Sequence, residues 1–112
     1  MADRQDGALL VQLAQWGSAL GMEDAMSALW DDAFDPQAAE ATDKLVARVL
    51  YWGETIGTLT KNELIDTDLI LDWLWISGVW DRVAPAAQKL REKTGVTVMY
   101  ENFEALAAKQ SG

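Results

Sequence analysis

The sequence predicts an all-α fold, a compact bundle of four to five helices forming one domain over residues 1–112. A central antiparallel helix pair is expected at about 36–61 and 67–92. Three observations carry this prediction. At the helical step of roughly 100° per residue, the stretch from Asp68 to Glu92 is apolar on nearly every side. Leu69, Trp73, Ile76, Trp80 and Val83 fall on one side, Leu71, Trp75 and Gly78 on another, and Ile70 and Leu74 on a third. Such a helix is either sunk in a core or shared with a second subunit. Upstream, apolar residues recur three and four apart. Only Val96 to Met99 is rich in β-formers, and it is too short and isolated to build a sheet.

Asp6 or a neighbour can start a first helix running to about Leu20, with Leu9, Leu13, Trp16 and Leu20 as its seam and Gly21 as its stop. A second helix, from about Met22 to Ala33, carries Met22, Met26, Leu29 and Ala33 on one side. Asp35-Pro36 reads as an N-cap followed by a first helical residue, where the missing proline N–H would have had no partner anyway. The third helix is therefore expected from Pro36 to about Lys61, with Leu45, Val49, Trp52, Ile56 and Leu59 as its main seam. Beside that seam lie Val46, Leu50, Gly53 and Gly57. A glycine inside a helix costs roughly 1 kcal/mol against alanine, so two of them on one side imply a closely packed neighbour. Trp73 or Trp80 is the expected occupant of the groove they leave.

Lys61 to Asp66 is a tight corner. Asn62 suits the left-handed position after a helix, and Asp66 or Thr67 can cap the central helix. Pro85 should kink that helix or split it near Val83. Arg91, Lys93 and Gly95 make a basic last turn with a C-cap glycine. Val96 to Met99 reads as an extended connector. Tyr100 to Lys109 reads as a last helix that turns Phe103, Leu106 and Ala107 inward.

The chain has no Cys and no His. That excludes disulfides, thiol catalysis and Ser-His-Asp triads, and it removes the usual ligands of zinc, copper, haem and iron–sulfur sites. Hard, carboxylate-bound ions such as Mg²⁺ or Ca²⁺ remain open. No cofactor is expected. The start, MADRQDGALL, does not read as a secretory signal, and the uncharged stretch Trp73 to Trp80 is far short of a membrane span. The expectation is a cytoplasmic protein without a membrane partner.

The net charge of −9 is unevenly spread. Residues 1–43 hold nine acids and one base, Arg4. Seven of those acids form a patch with no base among them: Glu23, Asp24, Asp31, Asp32, Asp35, Glu40 and Asp43. Such a surface repels phosphate, so no nucleic-acid partner is expected. It would suit a basic protein, although the plainer reading is a solvated, solubilising face.

No catalytic constellation stands out. Asp31-Asp32-Ala33-Phe34-Asp35 matches D-D-x-x-D, a pattern that holds Mg²⁺ against a diphosphate in helical isoprenoid synthases. Here the chain is too short for that fold, no second acidic motif faces the first, and Asp35 is better explained as a cap. Glu54 falls on the polar side of its helix and reads as solvated. Asp72 falls next to the main apolar face and reads as a buried acid, tied to Arg48, Arg82 or a neutral donor, or used as a general acid or base in an interhelical pocket. Leu71 and Trp75 point away from Trp73, on a side that a small monomer has trouble covering. They are the candidates for a homodimer or partner-helix interface.

Three segments carry a resemblance: YWGETIGTLTKNELID (51–66), VWDRVAPAAQKLREKTG (79–95) and MYENFEALA (99–107). From about Leu45 onward the chain resembles a family of small bacterial proteins known only as a domain of unknown function. Members carry F-E-T-I-G-x-L-V-K-x-G-L-I-D, then a Trp- and Pro-containing helix, then L-Y-E-N-F-E-x-L-A. Glu63 stands where the family has Gly, so either that position is strained or Asn62 has taken over the turn. Thr60 replaces a Val. The resemblance implies a helical fold and no established activity. The functional expectation is a non-enzymatic interaction module with an acidic surface and an apolar self-association face. The alternative is a small-molecule-binding or hydrolytic domain using Asp72.

Overall fold

Asp3, rather than Asp6, starts the first helix. In the computed structural model, which describes residues 2–111, helix α1 (Arg4–Ala19) opens on a reciprocal pair. The Asp6 N–H donates to Asp3 Oδ1 and the Asp3 N–H to Asp6 Oδ2, each at 2.9 Å, so two otherwise orphaned donors are satisfied together. The Asp6 N–H also holds the Asp3 carboxyl below its ordinary pKa. Gly21, at φ +76°, ends this helix as expected, and α2 (Met22–Leu29) follows directly. It stops at Leu29 rather than Ala33.

Asp35-Pro36 begins a turn and not a helix. Asp35 Oδ1 accepts from the Gln37 N–H at 2.9 Å, and the Asp35 carbonyl accepts from the Ala38 and Ala39 N–H groups. Ala39 and Ala41 are both buried, which positions two apart on a helix would not allow on one wall. A short helix needs an apolar stripe to pack, and that stripe begins only at Leu45. Helix α3 accordingly runs over Lys44–Lys61. It ends in a double closure, with the Glu63 N–H donating to Thr60 O (3.1 Å) and the Leu64 N–H to Leu59 O (2.9 Å). The left-handed residue is Glu63, at φ 58°; Asn62 sits at φ −90° and donates its side-chain amide to Thr58 O.

The expected central rod is two helices. Helix α4 (Thr67–Trp73) is capped by Asp66, whose side chain accepts from the Leu69 N–H at 3.0 Å. The Asp66 N–H in turn donates to Asp6 Oδ1 at 2.8 Å, fastening this corner to the start of α1. The chain is then extended at Leu74 (φ −120°, ψ 139°) before α5 (Ile76–Thr94) begins. Helix α5 passes through Pro85 unsplit. Val83, Ala86 and Ala87 around it have no exposed surface. Their packing outweighs the roughly 3 kcal/mol that an interior proline costs. Gly95, at φ 73°, caps the helix as expected.

Helix α6 (Glu101–Ser111) is the piece the other helices close on. Its packing against α3 and then α5 is the most extensive in the fold, and the direct α3–α5 contact is smaller. The centre is thus a trio rather than the expected antiparallel pair. Phe103 and Asn102 of α6, and not Trp73 or Trp80, fill the groove at Gly53 and Gly57. A Cβ at Gly53 would enter the Phe103 ring, and one at Gly57 would lie 2.5 Å from the Asn102 backbone. Trp80 forms the next layer, edge-on to Phe103 with ring centroids 5.0 Å apart. Among the described residues there are six helices, rather than the expected four to five, and no strand, and one buried cluster draws on all six. None of these helices is long and apolar enough to cross a membrane.

Candidate functional site

Trp30 and Trp75 form an open aromatic surface. Trp30 caps the C-terminus of α2, and Trp75 immediately precedes α5. Their rings stack at 5.7 Å with 26° between planes, yet Trp30 is 42% exposed and Trp75 64%. Gly78, one turn into α5, makes this placement possible, since a Cβ there would collide with the Trp75 indole. Arg82 braces the cluster from beneath. Its guanidinium donates to Leu29 O through Nε (2.9 Å) and Nη2 (2.6 Å), satisfying a carbonyl at the end of α2. The same group lies 5.9 Å from the Trp30 ring and 5.3 Å from that of Phe34, within cation–π range. The groups that meet here are two indoles, a phenyl ring and a guanidinium.

Trp75 is exposed as an interface residue must be, whereas Leu71 is half-buried against the core, with the extended backbone of Leu74 between them. Asp72 corrects a second expectation. It is exposed, because α4 ends one residue later and turns that side outward. The premise of a buried acid in an interhelical pocket is therefore gone. Arg82, one of its expected partners, caps α2 instead. The other, Arg48, approaches the Gly21 turn, where a Cβ would lie 3.4 Å from Nη1.

Glu23, Asp24, Asp31, Asp32, Asp35, Glu40 and Asp43 are all exposed. Several are used locally. Asp31 Oδ1 accepts from the Ala33 N–H (2.8 Å), Asp43 Oδ2 from the Glu40 N–H (2.9 Å), and Glu40 pairs with Lys89 at 3.1 Å. Part of the acidic patch thus folds the 31–43 segment, where short carboxylates stand in for helix hydrogen bonds. Among the described residues, no three acids converge as a metal site would require.

A groove of about 650 Å³ lies in the hairpin of α1 and α2. Leu13, Met22, Met26, Trp52, Trp73 and Leu74 give it an apolar lining, with Glu23 and Asp24 at its edge and no basic residue.

Two polar side chains organise the α6 trio: Glu54, which the sequence predicts to be solvated, and Gln110, which it does not single out. Glu54 is not simply solvated. Its Oε1 accepts from the Asn102 and Phe103 N–H groups, both at 3.0 Å, and its Oε2 from Asn102 Nδ2 at 2.8 Å. A carboxylate on α3 therefore caps the N-terminus of α6, where the helix dipole favours negative charge. Gln110, near the other end of α6, clamps the break between α4 and α5. Its Nε2 donates to Leu71 O (2.9 Å) and Leu74 O (2.8 Å), while its Oε1 accepts from the Ser77 N–H (2.7 Å). The only sequence trace of the Glu54 cap is its place between two glycines that admit α6.

The chain belongs to the DUF4760 family, a domain of unknown function, which matches residues 3–110. No curated protein and no solved structure shows significant similarity to it.

Proposed function

We propose that this DUF4760 domain is a non-enzymatic protein-interaction module with two contact surfaces. The Trp30–Trp75 pair is the self-association face, and the acidic residues between Glu23 and Asp43 meet a basic protein. The observation that carries this reading is the exposed indole stack, 42% and 64% open, in a chain that buries Trp52 and Trp80 almost completely. Tryptophan and arginine are the residues most often found at binding hot spots, and a ring already stacked and seated loses little side-chain freedom when covered. Trp75 lies near an edge of the acidic segment through Trp30, so both surfaces are presented together. Asp72 has no part in this reading.

Light scattering over a concentration series tests the apolar face. The wild-type chain is expected to shift from monomer toward dimer as concentration rises, and Trp75→Ala to stay monomeric with unchanged helical circular dichroism. A wild-type chain that remains monomeric throughout removes the self-association half. For the acidic face, capture of basic proteins from lysate should weaken with salt and be lost when Asp31→Asn, Asp32→Asn and Glu40→Gln are combined.

A further inference from the structure

The groove between α1 and α2 is lined by neither Trp30 nor Trp75 and differs from the aromatic stack in chemistry. Its edges run along α1 from Leu13 to Ser18 and along α2 from Met22 to Ser27. That is roughly 8 Å of helix at ~1.5 Å per residue, enough to receive two side chains spaced one helical turn apart on a partner. The floor is Trp52 from α3 with Trp73 and Leu74 from the end of α4. Met22 and Met26 stand on one wall as unbranched, adaptable side chains.

Two further features indicate what fits. Trp52 is only 4% exposed, and its indole N–H makes no hydrogen bond among the described residues. No side-chain polar atom among the described residues is sealed off without a partner, so this donor keeps some open surface, and it lies beside Gly17, another residue of the groove. The charged side chains have one sign. Glu23 and Asp24 stand at the edge and no Lys or Arg does, while the negative poles where α1 and α4 end offset the positive pole where α2 begins, so the two carboxylates set the charge of the rim. An acidic rim favours a basic occupant over a second copy of this chain, at net −9.

We infer that this groove is a docking site for a basic amphipathic helix of another protein, whose apolar side chains enter between α1 and α2 while its Lys or Arg residues meet Glu23 and Asp24. This rests on the interaction-module reading and specifies the partner's chemistry. The test is a titration of the full chain with a synthetic leucine–lysine amphipathic helix, alongside a scrambled peptide of the same composition. Nitrogen–proton NMR follows the six indole N–H signals. The Trp52 signal is expected to shift with the amphipathic peptide, while the Trp75 signal stays in place. Glu23→Lys combined with Asp24→Lys should weaken binding at least tenfold. Both positions are exposed, so the fold should be retained, as circular dichroism can check. Trp75→Ala should bind the peptide as the wild type does. Equal affinity for the scrambled peptide, or an unmoved Trp52 signal at saturation, overturns the inference. Loss of this binding alongside intact Trp75-dependent dimerisation sinks the groove and leaves the proposed function standing.

Discussion

At the scale of single residues, the glycines and one glutamate separate local preference from packing. Gly7 and Gly57 both lie inside helices, where replacing glycine by alanine ordinarily stabilises by roughly 1 kcal/mol. A Cβ at Gly7 would have nothing within 4 Å, whereas one at Gly57 would press on the Asn102 backbone. Gly7→Ala should therefore stabilise the protein by about 0.5–1 kcal/mol, and Gly57→Ala should destabilise it by about 3 kcal/mol through forced displacement of α6. Urea unfolding of the two variants reads the opposite signs directly. Glu63 is the converse case, a side chain held at φ 58° where glycine would relax. Glu63→Gly is expected to add about 1 kcal/mol of stability and raise the melting temperature by a few degrees. A fall in stability would mean that the Glu63 side chain makes a contact worth more than its strained backbone.

At the scale of elements, α6 is held at both ends by side chains from or to its neighbours. Glu54 caps its first turn from α3, and Gln110 reaches from its last turn to both sides of the α4–α5 break. Helix α6 is short, at 11 residues, and would be marginal alone. A charged side-chain cap that stays partly open to water contributes about 2 kcal/mol in all, because its bonds replace bonds to solvent and are not additive. Glu54→Ala should cost about 2 kcal/mol, and Glu54→Gln less, since one oxygen can still accept from the backbone. Gln110→Ala removes three bonds at once. It is expected to cost about 2 kcal/mol and to speed amide exchange at Ser77 more than at residues in the middle of α3. Uniform exchange changes across the chain would show that the clamp has no local role.

At the scale of the whole molecule, charge decides how the two proposed contacts respond to salt. Each copy carries net −9, so dimerisation through Trp30 and Trp75 must bring like charges together. Added salt screens that repulsion over a Debye length of about 10 Å at 0.1 M and about 3 Å at 1 M. Self-association is therefore expected to tighten as salt rises, measured by sedimentation equilibrium. Binding of a basic partner should weaken over the same range. If both contacts respond in the same direction, they share one surface and the two-face description fails.

The helical class, the inward faces of α3, α5 and α6, and the stops at Gly21 and Gly95 were legible in the sequence. Each depends on a periodicity or a backbone preference confined to a few neighbouring residues. The glycine pair at Gly53 and Gly57 also announced a close approach, but not its occupant. Phe103 comes from 50 residues away, and nothing local distinguishes it from Trp73 or Trp80. The break at Leu74–Trp75 had no local signal at all: Trp-Leu-Trp is not a helix breaker, and the interruption is held by Gln110 across 36 residues. The exposure of Asp72, just before that break, was no more legible. Apolar patterning along the chain thus determined that helices form and which sides they bury. Which helix fills which groove, and which indoles stay wet, was decided by long-range hydrogen bonds and close packing that exist only once the chain has closed on itself.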